Sequence, residues 1–120
     1  MASMDNLMNS LLLPQEQILT RIIGTFEMQE NTGINYYFGE LIATDKRLIW
    51  FTKYPFGWKE TKIYRYVDII NVDITQSLFT FHNDVSIKLK SINIGNSKQF
   101  LETIQYISTY KEGIRNYFMK

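Results

Sequence analysis

The sequence contains no cysteine, which excludes disulfide bonds, thiolate nucleophiles and thiolate-ligated zinc sites. It contains a single histidine, His82, and the nearby Asp84 could add only one further metal ligand in the same predicted turn. No nucleotide-binding glycine pattern or Gly-x-Ser-x-Gly nucleophile motif occurs in the 120 residues. These absences predict a protein that is not an enzyme and that carries no metal or cofactor.

The chain also lacks an excess of charge of either sign. Thirteen Lys and Arg residues against 12 Asp and Glu residues give a formal charge of +1, so no long-range field attracts nucleic acid. Met1 to Leu13 lacks the basic flank of a signal peptide, and no segment approaches transmembrane length. We therefore expect a cytoplasmic protein that does not bind nucleic acid, and the abundance of Ile, Asn and Lys suggests a bacterial or phage source.

What the chain has in abundance is β-branched and aromatic residues in short runs between turn signals. In the last run, Val85, Ile87 and Leu89 alternate with polar residues, as in a half-buried strand. The runs predict seven antiparallel strands, at Ile18 to Met28, Ile34 to Thr44, Arg47 to Tyr54, Trp58 to Tyr66, Ile69 to Gln76, Ser77 to Phe81 and Val85 to Ile92.

The hydrophobic period changes to helical after Asn96, which is a suitable N-cap. The predicted apolar stripe consists of Phe100, Leu101, Ile104, Ile107, Tyr110, Ile114 and Phe118. Gly113 could separate the last turns from the rest of the helix. We therefore divide the chain into an N-terminal segment, residues 1–12, flexible in part or a short helix, and one domain, residues 13–120, with its helix from about residue 96.

A local motif resembles the small bacterial pleckstrin-homology-like (PH-like) domains. Gly39 to Phe51 is similar to their pattern Gly-x-Leu-x-x-Thr-Asp-x-Arg-Leu-Ile-x-Phe, and Leu13 to Ile18 is similar to their opening Leu-Pro-Gly-Glu-x-Ile, with Gln15 in place of the glycine. The resemblance extends through Val67-Asp68-Ile69 and the helix, and covers roughly residues 12–110.

The resemblance implies a mainly β fold, a seven-stranded barrel of two nearly orthogonal antiparallel sheets capped by one C-terminal helix. It also implies a binding or scaffold module. Some PH domains bind phosphoinositides through cations in the first hairpin, but Glu27 to Thr32 contain two carboxylates and no cation, which disfavours phosphate binding there. For Lys46 and Arg47 in the second turn, we favour a structural role over ligand binding.

Aromatic residues make up 15% of the chain, and consecutive ones place apolar side chains on both faces of neighbouring strands. The outer face should be covered either by residues around Leu11 to Leu13 and the helix, or by a protein partner or second copy of the chain. The sequence predicts a partner surface comprising Tyr36, Tyr37, Trp50 and Trp58, and hence a role in protein contact or self-association.

An alternative function is a peripheral module that binds anionic membranes. Its candidate site is a basic rim around the third hairpin, comprising Lys53, Lys59 and Lys62. The ordinary interpretation of such lysines is a solvated hairpin, which we prefer.

Overall fold

A computed structural model describes residues 12–53 and 59–118, and describes side chains over residues 12–52 and 60–110. The predicted N-terminal segment up to residue 11, the turn between the third and fourth predicted strands, and Trp58 lie outside the described residues. The strands are β1 (Ile18–Glu30), β2 (Gly33–Thr44), β3 (Leu48–Lys53), β4 (Lys59–Tyr64), β5 (Ile69–Asp73), β6 (Leu78–Phe81) and β7 (Ser86–Ile94). A 3₁₀ turn, Tyr66–Asp68, precedes β5, and the helix α1 (Ser97–Phe118) is the last of the described elements.

The seven strands form one antiparallel sheet in the order β4-β3-β2-β1-β7-β6-β5. The fold class is therefore confirmed: a mainly β, curled half-barrel with a C-terminal helix, consistent with a PH-like fold. Hydrogen bonds connect all seven strands, so the predicted two sheets are continuous through β1, which pairs with β2 on one side and β7 on the other. β4 and β5 are left as the free edges.

The sheet bends where β1 meets β7, since the register of this pair shifts at Ile23/Gly24 and again at Thr25/Phe26. Gly24 lies at the first shift, where a Cβ atom would collide with the carbonyl oxygen of Ser91. The close approach of the two backbones explains why glycine is required at this position.

The concave side of the sheet holds the main core. Phe26 and Trp50 meet edge to face with ring centroids 4.9 Å apart, and Phe100 and Ile104 of α1 are fully buried in the same cluster. The helix packs against β1, β5 and the 3₁₀ turn and so closes the concave side. This burial, rather than intrinsic helix propensity, is the main stabilisation expected for α1.

The predicted helix start is confirmed, because the Asn96 side chain accepts a hydrogen bond from the Gln99 amide at 2.9 Å. The helix continues through Gly113 to Phe118, while the side chains of Ile114 and Phe118 lie outside the described residues. The prediction that Tyr110 belongs to the buried stripe is wrong. Its ring is 56% exposed and stacks on Tyr106, one turn earlier on the solvent side of the helix.

Candidate functional site

The first half of β2 presents three large apolar side chains to solvent. Ile34, Tyr36 and Phe38 are 55%, 61% and 46% exposed. They alternate along the strand and therefore share its outer, convex face. We call these three residues the β2 stripe. A row of adjacent exposed apolar groups on one strand is a stronger signal of an interface than the same groups scattered singly.

A hydrogen bond fixes the central residue of the stripe. The Tyr36 hydroxyl donates to Oε1 of Glu27, its register partner on β1, at 3.0 Å. This hydrogen bond lowers the pKa of Glu27 below its ordinary value, and Lys88 and Lys90 contribute in the same direction. The stripe is therefore flanked by a carboxylate that stays charged and by the polar face of β7.

The other end of the convex face is covered. Ile42, Ile49 and Phe51 are at most 1% exposed, and Leu12 packs against them. The expectation that residues around Leu11 to Leu13 cover the outer face is confirmed at one position, Leu12. The convex face is thus covered around these residues and exposed along the β2 stripe, and also at Ile63, the β4 partner of Ile49.

The structure separates the four aromatic residues predicted to form a partner surface. Tyr36 lies on the stripe, and Tyr37 points the other way and packs partly buried against the main core. Trp58 lies outside the described residues. The stripe residues that the prediction missed are Ile34 and Phe38, which the alternation about Tyr36 could have identified.

The inclusion of Trp50 in that surface is wrong. Trp50 pairs with Leu41 on the concave side, is 1% exposed, and donates its indole N–H to the Thr52 hydroxyl. Burial of the ring with its polar atom satisfied makes Trp50 a core residue.

The three candidate lysines lie on β3 and β4. Lys53 and Lys59 are register partners at the ends of β3 and β4, and their side chains lie outside the described set. Lys62, in the middle of β4, is the register partner of Trp50. Its ammonium lies 3.8 Å from a Glu60 carboxylate oxygen. The alternative site of Lys53, Lys59 and Lys62 therefore stays a prediction.

The motif residues of the second turn form a buried clasp with the start of the domain. Arg47 donates from Nε to Glu16 Oε2 at 3.0 Å and from Nη2 to Oε1 at 3.1 Å. Thr44 donates to the same carboxylate at 2.6 Å, and the Leu13 amide donates at 2.8 Å. The Glu16 side chain is fully buried, so its charge requires these donors. The geometry favours the structural role for Arg47, as an ion-pair partner that fastens the N-terminal residues to the β2–β3 turn.

Because of the clasp, the free energy of unfolding should depend on the protonation of Glu16 at acidic pH. Burial alone raises the pKa of this carboxyl, but hydrogen bonds from Arg47, Thr44 and Leu13 outweigh burial and leave the pKa lowered. Because the pKa of Glu16 is lower in the folded than in the unfolded state, its ionised carboxylate stabilises the fold. This stabilisation is complete above the unfolded-state pKa of about 4.3, and it is lost as the pH falls through the folded-state pKa. We expect the stability difference between wild type and Glu16→Gln in urea to be constant near neutrality and to shrink below about pH 4.3. A difference that grew on acidification would contradict this assignment.

Among the described residues, no three His, Asp or Glu side chains come close enough together to hold a metal ion. His82 lies in the turn between β6 and β7, where its amide donates to the Asp68 carbonyl at 2.9 Å. No described helix combines the length and apolar character needed to cross a membrane.

A curled antiparallel sheet of seven strands closed by a C-terminal helix is the architecture of a PH-like domain. Comparison with protein families agrees: residues 12–108 match the model of the bacterial PH domain family. The chain belongs to this family. Domains of this kind serve in general as binding or scaffold modules. No curated protein matches the chain.

Proposed function

We propose that this bacterial PH domain is a noncatalytic module that self-associates through the β2 stripe. The observation that carries the proposal is the part of the convex face where Ile34, Tyr36 and Phe38 remain exposed beside a covered part. Exposed apolar side chains in such a row are stabilised by removal from water, at about 25 cal/mol for each Å² buried.

A second copy of the chain fits this surface for two reasons. The stripe lies on a sheet face, and two sheet faces pack at about 10 Å with interdigitating side chains, which allows a closed, isologous pair about a twofold axis. The formal charge of +1 also means that two copies repel each other weakly at neutral pH.

The test is the molar mass in solution, measured by light scattering during size-exclusion chromatography over a range of concentrations. We expect the mass to rise from that of the 14.3 kDa monomer towards twice that value as concentration increases. The double variant Ile34→Lys/Phe38→Lys should weaken association at least about tenfold. Each copy would then bury two ammonium groups against those of its partner, which costs more free energy than a tenfold change in affinity represents.

A matched control places the same charges elsewhere. Ile70 on β5 and Tyr106 on α1 are 52% and 68% exposed, so Ile70→Lys/Tyr106→Lys should leave the mass profile unchanged. Far-UV circular dichroism should be the same for all three proteins. Loss of association only in the control, or a wild type that stays monomeric at the highest concentration, would remove the stripe as a self-interface.

A further inference from the structure

A groove opens on the other side of the sheet, between β4 and the β6–β7 turn, with a volume of about 460 Å³. Its apolar floor is formed by Tyr64 and Phe81, whose rings stack with centroids 4.8 Å apart and planes 18° from parallel. The groove lies within the range of small-ligand sites in volume, and an aromatic floor offers π faces to a flat or cationic group. It is separate from the β2 stripe and independent of self-association.

Two carboxylates line the groove, Glu30 from the end of β1 and Asp68 from the 3₁₀ turn. Neither side chain makes a hydrogen bond or ion pair with any residue in the described part of the chain. Lys62 also lines the groove, but its ammonium lies 3.8 Å from Glu60, which offsets its charge locally. The lining therefore carries two carboxylates against one ammonium above an aromatic floor, with His82 as a further polar group.

The Tyr64 hydroxyl adds a neutral polar group to this lining. Burial raises the pKa of Tyr64 to about 12, and the charges of Glu30 and Glu60 contribute in the same direction. The phenol is therefore protonated at neutral pH and can donate one hydrogen bond and accept others.

We propose that this groove binds an organic cation of the guanidinium type, as carried by an arginine side chain. Glu30 and Asp68 would supply the compensating charges and hydrogen-bond acceptors, and the exposed part of the Tyr64 ring would supply a stacking surface. A guanidinium is planar, holds several donors and is weakly hydrated, so it suits a half-buried aromatic site better than a small hydrated cation does.

The test is a titration of ¹⁵N-labelled protein with N-acetyl-argininamide, followed by two-dimensional NMR spectra. We expect saturable shifts of amides in residues 64–68 and 81–85, and no such shifts with the neutral isostere N-acetyl-citrullinamide. A variant with Glu30→Gln and Asp68→Asn should bind at least about tenfold more weakly, since each carboxylate contributes a charge-assisted hydrogen bond. The single variant Glu30→Gln, at the hairpin end of β1, should lose less affinity for the probe. It leaves Asp68 unchanged, so it still tests the proposal if the Asp68 substitution disturbs the fold.

Glu102→Gln is the matched control, because Glu102 lies on the helix outside the groove and is about half exposed. It should bind the probe as wild type does. A short peptide with one central arginine distinguishes the source of the cation: tighter binding than the amide would point to a protein partner, and equal binding to a small free ligand. Equal affinity of wild type and the double variant, or binding of inositol hexakisphosphate at these same amides, would overturn the proposal.

Discussion

Replacing Trp50 with alanine is expected to lower the free energy of unfolding by about 3–5 kcal/mol, the usual loss when a buried aromatic side chain is truncated in a core. The indole is 1% exposed, meets Phe26 edge to face, and donates its N–H to Thr52. Removal leaves a large cavity and an unused hydroxyl acceptor. Since single domains are stable by about 5–15 kcal/mol, the variant should be close to unfolding.

Urea unfolding followed by far-UV circular dichroism measures this loss. Trp50→Phe keeps an aromatic ring in the same space, so its free energy of unfolding should fall less. This variant can still be compared with wild type if Trp50→Ala does not fold. Ile70→Ala, at an exposed position, should change stability by no more than about 0.5 kcal/mol. If Trp50→Ala behaved like Ile70→Ala, Trp50 would be a surface residue after all.

The second large effect is expected for Arg47→Ala, at about 3 kcal/mol, because it leaves the buried Glu16 carboxylate without its ion-pair partner. Thr44 and the Leu13 amide would still donate to Glu16 but cannot neutralise its charge. The expected loss is at the lower end of the range for buried pairs, since Arg47 is 19% exposed and water can approach it.

The ion pair between Lys98 and Glu102 provides the control for this experiment. Its atoms lie 3.9 Å apart, and both side chains are more than half exposed, so Lys98→Ala should change stability by less than about 0.5 kcal/mol. Removing both clasp partners, as Glu16→Gln/Arg47→Met, should restore part of the loss, because no buried charge then remains unpaired. Equal effects of Arg47→Ala and Lys98→Ala would show that the clasp is a surface ion pair.

The strands could be predicted closely from the sequence, because alternation and turn residues are local signals. Val85, Ile87 and Leu89 show this well, since Ile87 and Leu89 are buried and Val85 packs partly against them in the core. The error at Trp50 has a physical cause. In β3 every residue from Leu48 to Phe51 is apolar, so both faces look equally buried and periodicity cannot say which side chain reaches solvent.

The clasp and the groove could not be predicted in this way, because both join residues far apart in the sequence. Glu16 and Arg47 each belong to a motif that resembles the family, but nothing local indicates that they pair across 31 positions. Glu30, Asp68 and Phe81 likewise come from three different elements, which meet only when the sheet curls. Local sequence patterns specify the strands and the helix, whereas the clasp and the groove depend on how these elements pack together in the folded chain.

The most direct test of the proposed function compares two isoleucines of nearly equal exposure, Ile34 at 55% on the stripe and Ile70 at 52% on β5. Selective methyl labelling of isoleucine and a dilution series in NMR would follow both at once. We predict that the Ile34 methyl signal shifts with protein concentration while the Ile70 signal stays fixed. A concentration-dependent shift at Ile70 with none at Ile34, or no shift at either, would contradict self-association through the β2 stripe.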